Sequence, residues 1–358
     1  MAIDQDQFKA IVSGRRRDVR ARGARFLLRG ASLGYRLAVG VRNALYDHHL
    51  LRSHRANAFV ICAGNLTTGG TGKTPLVAWL CRYVRERELP CAILTRGYKT
   101  QQGKLSDEPA LLADQCGDVP VIINPDRVAG AAEAIRSHGA QVLVMDDGFQ
   151  HRRLARDLDI VAIDSTLPFG YGRVLPAGLL REPIAGLKRS DAVVLTRCDQ
   201  VSDDAIGRIE EAVHRVNPDL IVARSVHQPT HIETAKGEEI DVNQIRGKRI
   251  FAFCGIGNPK AFFGTIERLG GVPAGSRSFD DHYRYTDDDI REIAGQARER
   301  KADLILTTQK DWTKIGRSAL LEGRPPMACL TVQLQITTGA ERLTALIDRA
   351  LGDRMQCL

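Results

Sequence analysis

An α/β fold, a mostly parallel sheet with helices on both faces, is what this 358-residue sequence predicts, on three observations. From Ala58 onward, short apolar runs rich in β-branched residues alternate with helical patterns. A Gly-rich turn joins the first such run to the first such helix. Hydrophobic residues make up 43% and charged residues 26%, the mix of a globular chain with a sizeable core.

The runs at 58–63, 92–94, 121–123, 142–145, 160–163, 192–195 and 221–223 read as strands, with helices at 74–88 and 127–137 between them. A polar stretch at 225–248, with Gly237-Glu238-Glu239 at its centre, reads as a linker in the form of a two-stranded hairpin. Strand patterns at 250–254, 304–307 and 328–332 and helical patterns at 259–269, 287–300 and 339–351 follow. The predicted organisation is an N-terminal arm at 1–56, an α/β core at 57–224 that contains the Gly-rich turn, the linker at 225–248 and a smaller α/β domain at 249–358.

The net charge of +8 resides in the arm, where residues 1–56 hold 12 Lys/Arg against 4 Asp. On a helix, Arg22, Arg25, Arg29 and Arg36 project within about 60° of one another. Phe26, Leu27, Leu28, Leu33, Leu37, Val41 and Leu45 fill much of the remaining circumference. An apolar surface beside an arginine stripe suits a helix lying on an anionic membrane. A helix packed on the protein's own core is the alternative. Nucleic acid is a weaker third, because the apolar residues are aliphatic rather than stacking aromatics.

No apolar run reaches the length of a membrane span, and the first residues lack the pattern of a signal peptide. The eight cysteines are scattered with no CxxC pair, which reads as reduced thiols of a cytoplasmic protein without a zinc site or disulfide framework.

The sharpest local signal is Gly64-Asn65-Leu66-Thr67-Thr68-Gly69-Gly70-Thr71-Gly72-Lys73-Thr74-Pro75. Its glycines let successive N–H groups turn inward, and the helix N-terminus completes an anion cradle. This is a P-loop, with Thr67 where the strict pattern has glycine. Asn65, Thr67, Thr68, Gly69, Gly70, Thr71, Gly72, Lys73, Thr74 and Pro75 are the predicted nucleotide-binding set, with ATP as ligand. Lys73 can reach the β- and γ-phosphates, and the Thr74 hydroxyl can ligate Mg²⁺. Val142–Met145 ends in Asp146 and Asp147, the place expected for the carboxylates on the metal side.

Further motifs follow in order: TRGYK at 95–99, SDEPALL at 106–112, DRVAGA at 126–131, MDDGFQHRRLARDLDIV at 145–161, RVLPAGLLREP at 173–183, FDDHYRYT at 279–286 and TTQKD at 307–311. Together with the P-loop they resemble the tetraacyldisaccharide 4′-kinase family from about residue 24 to the last helix. The resemblance implies transfer of the γ-phosphate of ATP to the 4′-hydroxyl of tetraacyldisaccharide 1-phosphate, giving lipid IVA in lipid A synthesis. It also implies two α/β/α domains joined by a two-stranded linker with the active site in the cleft between them. The place of work implied is the cytoplasmic face of a Gram-negative inner membrane, with an anionic lipid surface as partner, no nucleic acid and no obligatory protein.

Matched to the family motif, Asp107 is the expected general base for the sugar hydroxyl, and His282 its orienting partner on the other lobe. Glu182 joins Thr74, Asp146 and Asp147 as an expected contributor to the metal shell. Arg127, Gln150, His151 and Arg181 are expected at the phosphates or the substrate. For Arg127 a surface salt bridge is the alternative, for Arg181 a helix-start ion pair, and for His151 a buried structural role. Two other function classes remain open on the residues alone: a nucleotide-driven switch, and a nucleotide-binding adaptor at the membrane.

Overall fold

The computed structural model describes residues 5–97, 107–281, 283–315, 323 and 325–355. In chain order the elements are α1 (Gln5–Val12), α2 (Val19–Asp47), β1 (Phe59–Asn65), α3 (Lys73–Arg85), β2 (Cys91–Thr95), α4 (Asp107–Cys116), β3 (Val121–Ile123), α5 (Arg127–His138), β4 (Val142–Asp146), β5 (Leu158–Asp164), β6 (Ala192–Thr196) and α6 (Asp203–His214). They continue with β7 (Ile221–Thr234), β8 (Glu239–Asp241), β9 (Arg249–Cys254), α7 (Pro259–Arg268), β10 (Val272–Ser278), α8 (Asp287–Glu299), β11 (Leu304–Thr308), α9 (Gln309–Ile315), β12 (Met327–Thr338) and α10 (Ala340–Met355).

The chain divides into two compact units, residues 1–96, 119–226 and 336–358, and residues 97–118 and 227–335. This corrects two expected boundaries. The stretch 97–118, expected in the nucleotide-binding core, belongs to the second unit, and α10, expected in the second, belongs to the first. The physical reason for the first is side-chain pairing: Gln115 Nε2 donates to Gln309 Oε1 at 2.8 Å, and Gln309 Nε2 donates to Asp114 at 2.8 Å. For the second, Tyr83 donates to Asp348 at 2.9 Å and Arg87 pairs with the same carboxylate at 2.8 Å. It follows that Asp107 and the segment around position 282 lie in the same unit, not on different lobes as expected.

In the first unit the strand order is β7-β6-β5-β1-β4-β2-β3. All seven residues of β1 are buried, as are all five of β2, β4 and β6. Strands covered on both faces have no need of polar alternation, which is why they read as continuous apolar runs. β1 pairs in parallel with β4 on one side and β5 on the other, so the turn after β1 stands beside the acids that end β4.

The second unit has the order β10-β9-β11-β12-β7, with β8 antiparallel on β7. Alternate residues of β9 serve two cores. Ile250, Ala252 and Cys254 pack with Phe262 and Ile266 of α7, and Phe251 and Phe253 pack with Ile290, Ile293 and Ala297 of α8. The acids that open α8, Asp287 to Asp289, include a cap. Thr286 accepts the Asp289 N–H at 3.2 Å and Asp289 accepts the Thr286 N–H at 2.8 Å, a reciprocal capping box. All seven described cysteines are buried thiols outside any disulfide.

Candidate active site

The site grows from the end of β1. Asn65 is fully enclosed, and its Nδ2 donates to Thr67 O at 2.7 Å and to Thr71 Oγ1 at 3.0 Å, so one amide fixes the curl of the loop. Gly69 and Gly72 take left-handed backbone angles, φ 110° and 81°, that an L side chain resists. Helix α3 begins at Lys73 with no side chain capping its first turn. Its leading N–H groups and dipole therefore suit a phosphate.

The loop is braced from outside by residues 174–182. Thr68 N donates to Leu179 O at 2.8 Å and Arg181 N donates to Leu66 O at 2.7 Å. From the other side comes the turn after β4. Asp147 N donates to Ala63 O at 3.0 Å, and Asp147 itself holds φ 52°. Gly64 permits this approach, since a Cβ there would meet Phe149 Cβ at 2.4 Å.

Asp147 is the electrostatic centre. Lys73 Nζ lies 3.5 Å from its carboxylate, and Arg181 Nη1 lies 2.8 Å from both of its oxygens. Burial pushes this carboxyl up, but Lys73 and Arg181 outweigh burial and hold it below the ordinary value, so it is ionised at neutral pH. Arg181 is thus neither a helix-start ion pair nor a bystander. Asp146 is buried, with Thr95 donating to it at 3.3 Å.

Arg127 is only 3% exposed, which removes the surface salt bridge. Its guanidinium donates to Asn124 O at 2.8 Å and to Asp146 O at 3.4 Å, and its buried Nε has no partner. The surface pair at that helix start is Arg153 with Asp126, at 2.9 Å. His151 is half-buried; burial first, then Arg127, pushes its imidazole below the ordinary value. Its buried Nδ1 is also unpartnered. Orphaned donors and acceptors here, with Asn65 Oδ1 among them, suit a polar ligand.

Glu182 departs from expectation. It is 1% exposed, and its oxygens are occupied by Gln150 Nε2 at 2.9 Å, Arg189 at 2.8 Å and Asn43 Nδ2 at 3.3 Å. With those three donors it orders Gln150 and the 174–182 segment rather than offering a metal ligand. Gln150 in turn donates to Asn65 O at 2.9 Å, which ties it to the loop. Among the described residues no three His, Cys, Asp or Glu side chains form a metal cluster. Mg²⁺ does not require one, since it is commonly held by one or two carboxylates with phosphates and water. Thr74, Asp146 and Asp147 fit that donor set.

Asp107 opens α4, but its side chain, like all of His282, lies outside the described residues. Tyr35, Asn43 and Arg189 were missed by the sequence reading. A signal existed: Ser32, Tyr35, Asn43 and Tyr46 recur at helical spacing on the side of α2 opposite Phe26, Leu33 and Leu37.

Against known proteins, the family model described as LpxK, tetraacyldisaccharide-1-P 4′-kinase, matches residues 24–352. The tetraacyldisaccharide 4′-kinase of Syntrophus aciditrophicus (strain SB) is 38% identical over 339 residues, covering 87% of this chain and 89% of the relative. That of Anaeromyxobacter sp. (strain K) is 35% identical over 350 residues, covering 92% and 91%. The crystal structure of "apo" form LpxK from Aquifex aeolicus in complex with ATP is similar with a TM-score of 0.71 at 28% identity, covering 92% of this chain and 99% of that one.

Proposed function

This chain belongs to the tetraacyldisaccharide-1-P 4′-kinase family, and from that premise we propose how its own residues divide the work of the transfer. The chain is a kinase that moves the γ-phosphate of ATP to the 4′-hydroxyl of tetraacyldisaccharide 1-phosphate in lipid A synthesis. The observation that carries the reading of the site is Asp147 held between Lys73 and Arg181 beside an uncapped helix start.

The loop from Asn65 to Pro75 binds the nucleotide phosphates, with Lys73 on the β- and γ-phosphates. Thr74, Asp146 and Asp147 would hold Mg²⁺, which would supply charge neutralisation when bound. Arg127, Gln150, His151 and Arg181 face the phosphates or the substrate. Asp107 takes the proton of the 4′-hydroxyl as its oxygen bonds to the γ-phosphorus, and ADP leaves with the electron pair of the broken bond. His282 orients Asp107.

Membrane placement belongs to α2. Val19, Phe26, Leu27, Leu33, Leu37 and Val41 are all exposed on it, between 52% and 81%. The core-packing alternative required this face to be covered. An anionic lipid surface on the cytoplasmic side of the inner membrane is the cover this reading assigns to it. No described helix is long and apolar enough to cross a membrane.

The test supplies labelled ATP, Mg²⁺ and micelles of tetraacyldisaccharide 1-phosphate to the purified chain, Lys73→Ala and Asp107→Ala. Label in a bisphosphorylated lipid, lost in both variants, is the expected result. Undiminished transfer by Asp107→Ala would remove the assigned base. Equal partitioning of the full chain and a chain lacking residues 1–50 onto anionic vesicles would remove the membrane role.

A further inference from the structure

We propose that α2 is a working part of the phosphate site as well as a surface element: Tyr35 and Asn43 are positioning residues that hold Arg181 and Glu182, and through them the Asp147 carboxylate. The inner face of α2 makes polar bonds along its length. Ser32 Oγ donates to Val174 O at 2.9 Å, Tyr35 Oη donates to Arg181 O at 2.8 Å, and Asn43 Nδ2 donates to Glu182 Oε2 at 3.3 Å. The Arg42 guanidinium donates to the Gln150 carbonyl. In the other direction, Arg152 donates to Asn43 O at 2.9 Å and pairs with Asp47 at 2.7 Å.

The receiving residues are the ones that shape the site. Arg181 closes on Asp147, and Gln150 joins Glu182 to the carbonyl of Asn65. One residue separates Tyr35 from the Asp147 carboxylate and Arg42 from the phosphate loop, and two, Glu182 and Gln150, separate Asn43 from that loop. An anchor needs only its outer face. Four bonds aimed at residues 150 and 174–182 require a second explanation, and fixing Arg181 and Gln150 is the one the contacts support.

The bonds themselves are of ordinary strength, about 1 kcal/mol each, which is about fivefold apiece if they act fully in the transition state. Their leverage comes from geometry, because displacing a preorganised group by about 1 Å can slow a reaction on the order of a hundredfold. The inference rests on the reading of Asp147 as the carboxylate on the nucleotide side, so its test carries Asp147→Asn alongside.

Steady-state transfer would be measured with saturating ATP and Mg²⁺ in detergent micelles of tetraacyldisaccharide 1-phosphate. Tyr35→Phe with Asn43→Ala is expected to lower kcat roughly ten- to a hundredfold, with the KM for lipid and partition onto anionic vesicles unchanged. Tyr35→Phe alone, which removes one oxygen, is expected to lower kcat by about fivefold and keeps the test decisive should the double variant fold poorly. Asn43→Ala combined with Gln150→Ala should lose less than the product of the two single losses, because both act through Glu182. Wild-type kcat in Tyr35→Phe and in the double variant, with Asp147→Asn inactive, would overturn the positioning role and leave α2 an anchor. A loss confined to vesicle partition and lipid KM would overturn it equally. Wild-type kcat in Asp147→Asn would instead overturn the reading beneath it.

Discussion

Each unit contains a strand that runs through a glycine turn into a helix, and the two turns are built with opposite charge. After β1, the turn is held by a neutral amide, Asn65, and carries Lys73 at the start of α3. After β9, the turn at Gly255 is held by a carboxylate. Asp311 is completely buried and accepts the Gly255 N–H at 2.9 Å, the Thr308 hydroxyl at 2.7 Å and Lys314 Nζ at 3.0 Å. A Cβ at Gly255 would sit 3.1 Å from both Asp280 O and Tyr285 Oη, so the turn is also closed sterically. The difference lies in the backbone donors. A strand–turn–helix can take a phosphate when its leading N–H groups are left uncapped, as at α3, and loses that capacity when a buried carboxylate of the protein accepts from the turn, as Asp311 does at Gly255.

Breaking the second turn should have the largest effect on stability. Asp311→Ala removes the partner of a buried cation, and removal of one member of a buried pair is worth about 3–5 kcal/mol. Denaturant unfolding should show that loss. Lys73→Ala tests the other side of the comparison: kcat should fall roughly 10²- to 10³-fold while the melting temperature stays near wild type, since Arg181 at 2.8 Å still pairs with Asp147 when the lysine is lost. A large fall in melting temperature would make the first turn as self-contained as the second.

Gly64→Ala sharpens the role of close approach. A new Cβ 2.4 Å from Phe149 Cβ and 2.9 Å from its amide nitrogen forces a shift, at about 1–3 kcal/mol, readable by calorimetry. Asp126→Ala removes the cap that accepts Val128 N and Ala129 N at 3.0 and 3.4 Å, at about 1 kcal/mol. The smallest effect is His151. Its folded pKa lies below the 6.5 of the free side chain, so the unfolded chain binds its proton first and stability falls as pH drops through that range. A midpoint above 6.5 by NMR would contradict the enclosure described for it.

The first unit was legible because parallel strands buried on both faces leave uninterrupted apolar runs, and because the phosphate loop has a spacing set by its chemistry. β10 was not legible. Its sequence, VPAGSRS, contains a proline and a glycine, and the register shifts between Pro273 and Gly275. An edge strand tolerates both, since one side of its ladder is open. β7 was read as ending at 223 but continues to Thr234, where mixed burial replaces the apolar run. Within the site, Lys73, Asp147 and Arg181 came from motifs. The burial of Glu182 and Arg127 and the inner face of α2 did not, because both depend on partners more than a hundred residues away or on turns that sequence spacing cannot place.

The enclosure of the thiols has a practical consequence. Among the described residues no thiol is exposed to an alkylating reagent, so each modification of those seven cysteines records an opening event. Cys62, in β1 beneath the phosphate loop, and Cys254, at the end of β9, are both at 0% exposure and sit in different units. Followed peptide by peptide in a mass spectrometer, their labelling rates become two clocks in one chain. ATP should slow the first clock more than the second, and Asp311→Ala should speed the second more than the first.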